Sequence, residues 1–173
     1  PPGSTHKIVT AIAGLEEGVF DKNTLVNCPG YFKLGRKTFR CWKGVGHGSM
    51  DMKSALIQSC DVYFYTLGLK LGVDRIAKYA RMVGFGSSSN FKVGTERKGL
   101  VPTIEWKEKV RKKPWVLGET VVNSIGQGYN LVTPIQQVRM VAAVANGGKM
   151  VEPKIIIKDV DLNNEKGERE HNS

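Results

Sequence analysis

Pro1-Pro2-Gly3-Ser4-Thr5-His6-Lys7 opens the chain, and the reading of this stretch decides the fold. A serine and a lysine three residues apart face the same way on a helix. An unprotonated lysine amine at that spacing can accept the serine proton and turn a weak alcohol into a nucleophile. Pro1-Pro2-Gly3 suits a tight entry turn that sets Ser4 on the first helical turn, where free backbone N–H groups and the helix dipole favour negative charge. The apolar stripe Ile8, Val9, Ile12, Leu15 predicts a helix closing at Gly18. S-x-x-K alone fits an ordinary amphipathic helix capped by Ser4 equally well.

A second motif separates the two readings. Ser59-Cys60-Asp61 follows the apolar-patterned stretch Met52 to Ile57 and precedes Val62-Tyr63-Phe64-Tyr65. S-x-x-K followed by a Ser-x-Asn-type motif is a pairing of serine acyl-enzymes that react with penicillin. Further along come Pro29-Gly30-Tyr31-Phe32, Trp42 with Gly46-His47-Gly48, Gly84-Phe85-Gly86 and Lys113-Pro114-Trp115. Ile125-Gly126-Gln127-Gly128-Tyr129 and Thr133-Pro134-Ile135-Gln136 follow. On these residues, from Pro1 to about Asp159, the chain resembles the transpeptidase domain of class B penicillin-binding proteins, within them the cell-elongation group, penicillin-binding protein 2.

The resemblance implies an α/β (α+β) fold of the penicillin-binding protein and serine β-lactamase type: a helical subdomain beside a five-stranded antiparallel sheet covered by helices, incomplete in this chain. Residues 1–160 are expected to be part of a transpeptidase domain, and the polar tail 161–173 to be disordered. No Lys-Ser-Gly or Lys-Thr-Gly occurs. Lys37-Thr38-Phe39 is the nearest string, but Phe39 stands where glycine allows close backbone approach. In the family this third motif lies on an edge strand beyond the Gly126-Gln127-Gly128 segment. The chain is therefore expected to be part of a longer protein, to be nearly inert alone, and to have its membrane anchor elsewhere.

The implied chemistry is peptidoglycan cross-linking. Ser4 attacks the penultimate D-Ala carbonyl of a stem peptide with Lys7 as general base, terminal D-Ala leaves, and a neighbouring stem amine resolves the acyl-enzyme. Ser59 relays the proton. Asp61 stands where many relatives have Asn, and a carboxylate accepts hydrogen bonds but donates none unless protonated. Asn123 and Gln127 are candidate substrate contacts. A β-lactam would trap Ser4. The implied partners are stem peptides, β-lactams and elongation-machinery proteins including a glycosyltransferase, at the periplasmic face of the inner membrane. A serine β-lactamase or β-lactam sensor shares the same motifs; Glu96, Glu105 and Glu119 are its nominal deacylating bases.

With 173 residues, 40% of them hydrophobic, the chain can bury one substantial core. The net charge of +10 is spread through Lys33–Lys43 and Lys107–Lys113 without a stacking set of aromatics, so a solvated basic surface is expected and nucleic acid is not. No run approaches the ~20 apolar residues of a membrane span.

Cys28, Cys41 and Cys60 share one short stretch with His47. Three thiolates and an imidazole make a complete tetrahedral zinc set, although no C-x2-C knuckle is present. If residues 59–61 are extended, Cys60 points away from Ser59 and Asp61. A Cys28–Cys41 disulfide and three buried free thiols are the competing readings. The resemblance also implies a metal-ligand position in this region for some subgroup members. A zinc-stabilised basic binding module without catalysis would fit the same four residues.

Periodicity predicts a strand over 24–27, a hairpin of 31–34 and 38–42 about Gly35-Arg36-Lys37, and helices over 50–59, 62–71 and 74–83. Residues 87–90 and 96–118 read as loops. Thr133-Pro134-Ile135-Gln136 starts a helix carrying Val138, Val141, Ala142 and Ala145 inward and ending at Asn146-Gly147-Gly148. A strand is expected over 151–160. His6 is expected to face solvent or the groove, Trp42, Trp106 and Trp115 to pack, and Tyr63, Phe64 and Tyr65 to divide between core and cleft wall.

Overall fold

Gly3–Thr5 form one 3-10 turn that runs directly into α1 (His6–Glu16), so Ser4 does sit on the first turn of a helix. This computed structural model describes residues 1–90 and 95–154. The expected strand over 151–160 lies largely outside them, and its described part, 151–154, has no regular structure. The tail 161–173 lies wholly outside.

After α1 come β1 (Val26–Cys28), β2 (Tyr31–Leu34), β3 (Lys37–Arg40) and β4 (Gly48–Met50). The hairpin forms, with β2 and β3 antiparallel from Tyr31↔Arg40 to Leu34↔Lys37, but its turn is only Gly35-Arg36: Lys37 joins β3, which ends at Arg40 short of the expected Cys41 and Trp42. β1 begins two residues later than expected and pairs with β4, Val26↔Met50 to Cys28↔Gly48. Met50 therefore belongs to a strand. The helix expected over 50–59 shrinks to α2 (Met52–Ile57), started by Asp51, whose carboxylate accepts the Ser54 N–H at 2.7 Å. Among the described residues the strands form two two-stranded sheets, and the five-stranded sheet of the resemblance is not among them.

α3 (Asp61–Leu71) is the central helix. Tyr63, Phe64 and Leu67 are fully buried and Tyr65 nearly so, which places the whole aromatic run in the core. α3 packs against α1, α4 (Val73–Met82) and α6 (Leu117–Asn123). The contact with α6 depends on Gly68: a Cβ there would lie 2.3 Å from the Ser124 Cβ. The region read as loop over 96–118 contains α5 (Ile104–Arg111) and the start of α6. Thr103 caps α5 by accepting the Trp106 N–H at 3.0 Å. Glu105 in its first turn and Lys109 and Arg111 in its last complement the helix dipole.

α7 (Pro134–Ala145) starts at the expected capping box: Thr133 Oγ1 accepts the Gln136 N–H, and Gln136 Oε1 accepts the Thr133 N–H at 3.0 Å. Its inward face is not the expected one. Gln136, Met140 and Ala143 are buried, whereas Val138 is 61% exposed and Val141, Val144 and Ala145 also face out. Gln136 is drawn in by polar pairing, its Nε2 donating to the Ser87 and Lys98 carbonyls at 2.7 and 2.9 Å.

Candidate active site and metal centre

The start of α1 and the turn before α3 meet at Lys7. Its side chain is 2% exposed. Nζ donates to Ser59 Oγ at 2.8 Å, to the Ser59 carbonyl at 2.9 Å and to Asp61 Oδ1 at 2.6 Å. Those three acceptors match the three protons of an ammonium, so the arrangement is that of a charged, paired lysine. Ser59 Oγ in turn donates to Ser4 Oγ at 3.1 Å, and Ser4 is exposed. The four residues Ser4, Lys7, Ser59 and Asp61 are thus brought together as one hydrogen-bonded set. The connection from Ser4 to Lys7 runs through Ser59, whereas the sequence spacing suggested a direct contact. The Phe64 ring lies 5.9 Å from Nζ and closes the inner side.

Ser59 holds a left-handed backbone, φ +51°. For a residue with a Cβ that conformation is sparsely populated and persists where neighbours over-determine it. Here the neighbours are Lys7 on its carbonyl and hydroxyl, and Trp42, whose indole Nε1–H donates to the Ser59 and Gln58 carbonyls, both at 3.0 Å. Ser59 and Asp61 face Lys7, and Cys60 is fully buried on the other side. Residues 59–61 are not the extended segment on which that separation was expected: Ser59 is left-handed and Asp61 begins α3, and the turn sends the side chains apart instead.

The Ser124–Gly128 loop braces the turn that carries Ser4. The Gly3 N–H donates to the Gly126 carbonyl at 3.0 Å, and Thr10 Oγ1 donates to the Ser124 carbonyl at 2.8 Å. A Cβ on Gly126, at φ +73°, would lie 2.2 Å from the Gly3 oxygen. His6, expected to face solvent or the groove, is instead 1% exposed beneath this loop and stacked on Phe85 at 6.1 Å. Neither ring nitrogen has a partner among the described residues, and burial lowers its pKa to about 4.

Of the two candidate substrate contacts, Gln127 is exposed at the edge of this loop. Asn123 is buried and lines a cavity of about 430 Å³ between the hairpin and α6, with Leu34, Lys37, Trp115 and Tyr129. Glu119 lines it too, with Lys107 and the Tyr129 hydroxyl on its carboxylate. Burial pushes Glu119 up, but the Lys107 hydrogen bond and charge outweigh it and hold the carboxyl below its ordinary value. Glu105 pairs with Lys109, and Glu96 accepts from Ser88 Oγ and the Ser89 N–H.

Cys28, Cys41, His47 and Cys60 converge behind the Ser59 turn. Their ligand atoms all lie within 4.8 Å of one another, three of the residues are buried, and all three cysteines are free thiols. The β1–β4 register explains the meeting: Cys28 pairs with Gly48, next to His47. His47 Nδ1 lies 3.5 Å from both Cys28 Sγ and Cys41 Sγ. A tetrahedron with zinc–sulfur and zinc–nitrogen bonds of ~2.3 and ~2.1 Å has edges of about 3.6 Å, so the cluster is able to hold a metal ion. Burial lowers the His47 pKa, which favours the neutral ligand form. Without a metal, burial pushes the Cys60 thiol up to about 12, with Cys28 and Cys41 adding to it.

Trp42, like His6, lies elsewhere than the sequence reading placed it. It is 65% exposed, bonded to the Ser59 turn and edge-on to His47 at 5.3 Å. Its place beside Cys41 and before the glycine-rich turn was the available signal.

Comparison with known proteins follows the same line. The whole chain, residues 1–173, matches the family described as the penicillin binding protein transpeptidase domain. It is 42% identical over 158 residues, 90% of its length, to the peptidoglycan D,D-transpeptidase MrdA of Acinetobacter baumannii, of which it covers 24%. Among solved structures, Pseudomonas aeruginosa penicillin-binding protein 2 in complex with WCK 5153 is similar at TM-score 0.85 and 42% identity, over 88% of this chain and 34% of that one. The complex of Helicobacter pylori penicillin-binding protein 2 with MreC gives TM-score 0.88 and 35% identity, over 92% and 30%. The chain thus spans about a quarter of the length of the curated relatives it matches.

Proposed function

The chain belongs to the penicillin-binding protein transpeptidase family, and from that premise we propose that it carries the nucleophile and proton-transfer groups of a peptidoglycan D,D-transpeptidase. The observation that supports this most is the hydrogen-bond chain Ser4 Oγ–Ser59 Oγ–Lys7 Nζ–Asp61. With Lys7 neutral, the Ser4 proton passes to Ser59 and the Ser59 proton to Nζ as Ser4 Oγ attacks the penultimate D-Ala carbonyl. The ammonium so formed has the Ser59 carbonyl, Ser59 Oγ and Asp61 Oδ1 as its acceptors. Running the chain backwards, Ser59 returns a proton to the departing D-Ala amine. The acceptor amine of a second stem then enters, losing its proton along the same path, and Ser4 leaves with one. Asp61 stabilises the charged lysine and fixes its direction; Asn123 and Gln127 are proposed to contact substrate.

A hydrolytic lactamase needs a base for a deacylating water. Glu105 and Glu119 are each paired with a lysine, and Glu96 is bonded to Ser88 and Ser89. The transferase reading is preferred on that ground. We place the protein at the periplasmic face of the inner membrane, with stem peptides, β-lactams, an MreC-like protein and a glycosyltransferase as partners. No helix among the described residues is long and apolar enough to cross a membrane.

The metal proposed for the four-residue cluster is zinc, in a structural role because the protein fills all four positions. It supplies a fixed anchor for Cys28, Cys41, His47 and Cys60, and so for the turn carrying Ser59. Elemental analysis of protein purified without added metal should give one zinc per chain. A value near zero with a Cys28–Cys41 disulfide in the peptide map would remove the metal.

Fluorescent penicillin tests the chemistry in the complete protein that carries this chain. It should attach covalently at Ser4, fail to attach in Ser4→Ala and attach very slowly in Lys7→Ala. The double variant should be no worse than Ser4→Ala, because the residues act as one unit. Stable labelling elsewhere than Ser4 sinks the proposal, and fast release of the label selects the lactamase.

A further inference from the structure

We propose that Trp42 is a positioning residue for this reaction, holding the Ser59 carbonyl and the Asp61 carboxylate in register with Lys7 through its indole and backbone N–H groups. The inference rests on the acyl-transfer reading above.

The contacts single Trp42 out. Its backbone N–H donates to Asp61 Oδ2 at 3.0 Å, while Asp61 Oδ1 takes Lys7 Nζ. Its indole N–H donates to the Ser59 carbonyl, the same oxygen that accepts from Lys7 Nζ at 2.9 Å. Two of the three acceptors of Lys7 are therefore shared with Trp42, one through each lone pair of the carbonyl and one through each oxygen of the carboxylate. A shared acceptor is fixed from both sides. Neither the carbonyl nor the carboxylate can swing without breaking a bond to Trp42, so Nζ is left with one position, 2.8 Å from Ser59 Oγ.

Packing does not account for the residue. The residue is 65% exposed, whereas a tryptophan held by burial loses most of its surface to the core. What it has is a donor at the far edge of a rigid ring. Phenylalanine has no donor, and tyrosine places its hydroxyl on a different axis. The held turn also needs holding: Ser59 is at φ +51°, and a left-handed serine relaxes when its restraints are removed. Finally, Trp42 follows Cys41 directly and lies edge-on to His47, so the hold on Ser59 is referred to the Cys/His cluster.

The test separates the donor from the ring. In the complete, metal-replete protein, Trp42 is replaced by benzothienylalanine, which keeps the bicyclic shape and exchanges the N–H for sulfur, and by phenylalanine. Penicillin binding and acylation are resolved by rapid mixing. The benzothienyl variant should acylate about tenfold more slowly, the consequence of losing one hydrogen bond to a reacting network. Its non-covalent dissociation constant should stay within about twofold and its metal content should be unchanged. An unchanged acylation rate in that variant overturns the proposal. So does a Trp42 indole N–H that exchanges with deuterium as fast as free tryptophan, a readout that needs no catalysis. If wild-type Ser4 never acylates, the reaction assignment fails and this role with it. If wild type acylates and the variant matches it, only the role of Trp42 fails.

Discussion

Lys7 and Asp61 form an ion pair with side chains only 2% and 13% exposed. Breaking such a pair leaves one charge buried without a partner, which typically costs 3–5 kcal/mol. Asp61→Ala should therefore lower the urea-unfolding free energy by about 3 kcal/mol. Asp61→Asn should lose less, because its amide oxygen still accepts from Nζ. His6 makes a second prediction at this scale. The unfolded chain binds a proton at the imidazole's ordinary pKa of 6.5 and the folded chain only near 4, so acidification favours the unfolded state. Stability should fall as pH drops from 6.5 towards 4, by up to about 3 kcal/mol. His6→Leu should flatten that slope in denaturation curves taken at pH 4.5 and pH 7. A His6→Leu variant as pH-sensitive as wild type would count against burial as the cause.

The elements differ in how far local sequence could announce them. The β2–β3 hairpin and the α7 cap are decided by neighbouring residues, a glycine-bearing turn and a Thr-Pro-x-Gln start; the cap formed at the expected residues and the hairpin with its second strand one residue earlier at the start and two shorter at the end. α5 is short and strongly charged, so no apolar period marks it; its signals were the Thr103 cap and the Glu105–Lys109 pair. The buried face of α7 was misjudged because counting valines ignores that Gln136 finds two backbone carbonyls inside. In the site, Ser4, Lys7, Ser59 and Asp61 were legible as motifs, whereas the long-range contacts of Trp42 and the burial of His6 depend on packing between elements far apart in sequence. The close joints between elements should be the least tolerant positions. Gly68→Ala would drive α3 off α6 and should cost at least the 1–3 kcal/mol typical of overpacking, read as a lowered melting temperature. Gly126→Ala would push the loop away from Gly3, and should slow acylation at Ser4 as well as destabilise the fold.

On the scale of the whole molecule, the exposed valines of α7 form an apolar stripe beside Thr5, with Val138, Val141, Ala142 and Ala145 around a shallow depression. Exposed stripes of that kind promote self-association. Light scattering of the 173-residue chain should show oligomers that Val138→Ser with Val141→Ser disperses, while the melting temperature of the monomer stays nearly constant. Undiminished association in the double variant would place the sticky surface elsewhere.

The Cys/His cluster has a consequence for the denatured chain as well. Its ligands lie close together along the sequence, so the unfolded polypeptide is itself a chelator with three thiols and an imidazole between positions 28 and 60. An ion that bound only the native form would raise stability by about 1.4 kcal/mol for every tenfold rise in free metal above its dissociation constant. Here the rise should level off once the free concentration is high enough to load the unfolded chain too, leaving a plateau set by the ratio of the two affinities. Urea midpoints measured across a buffered zinc series should bend to that plateau, and its height measures how much the folded backbone adds to thiols that already sit near one another.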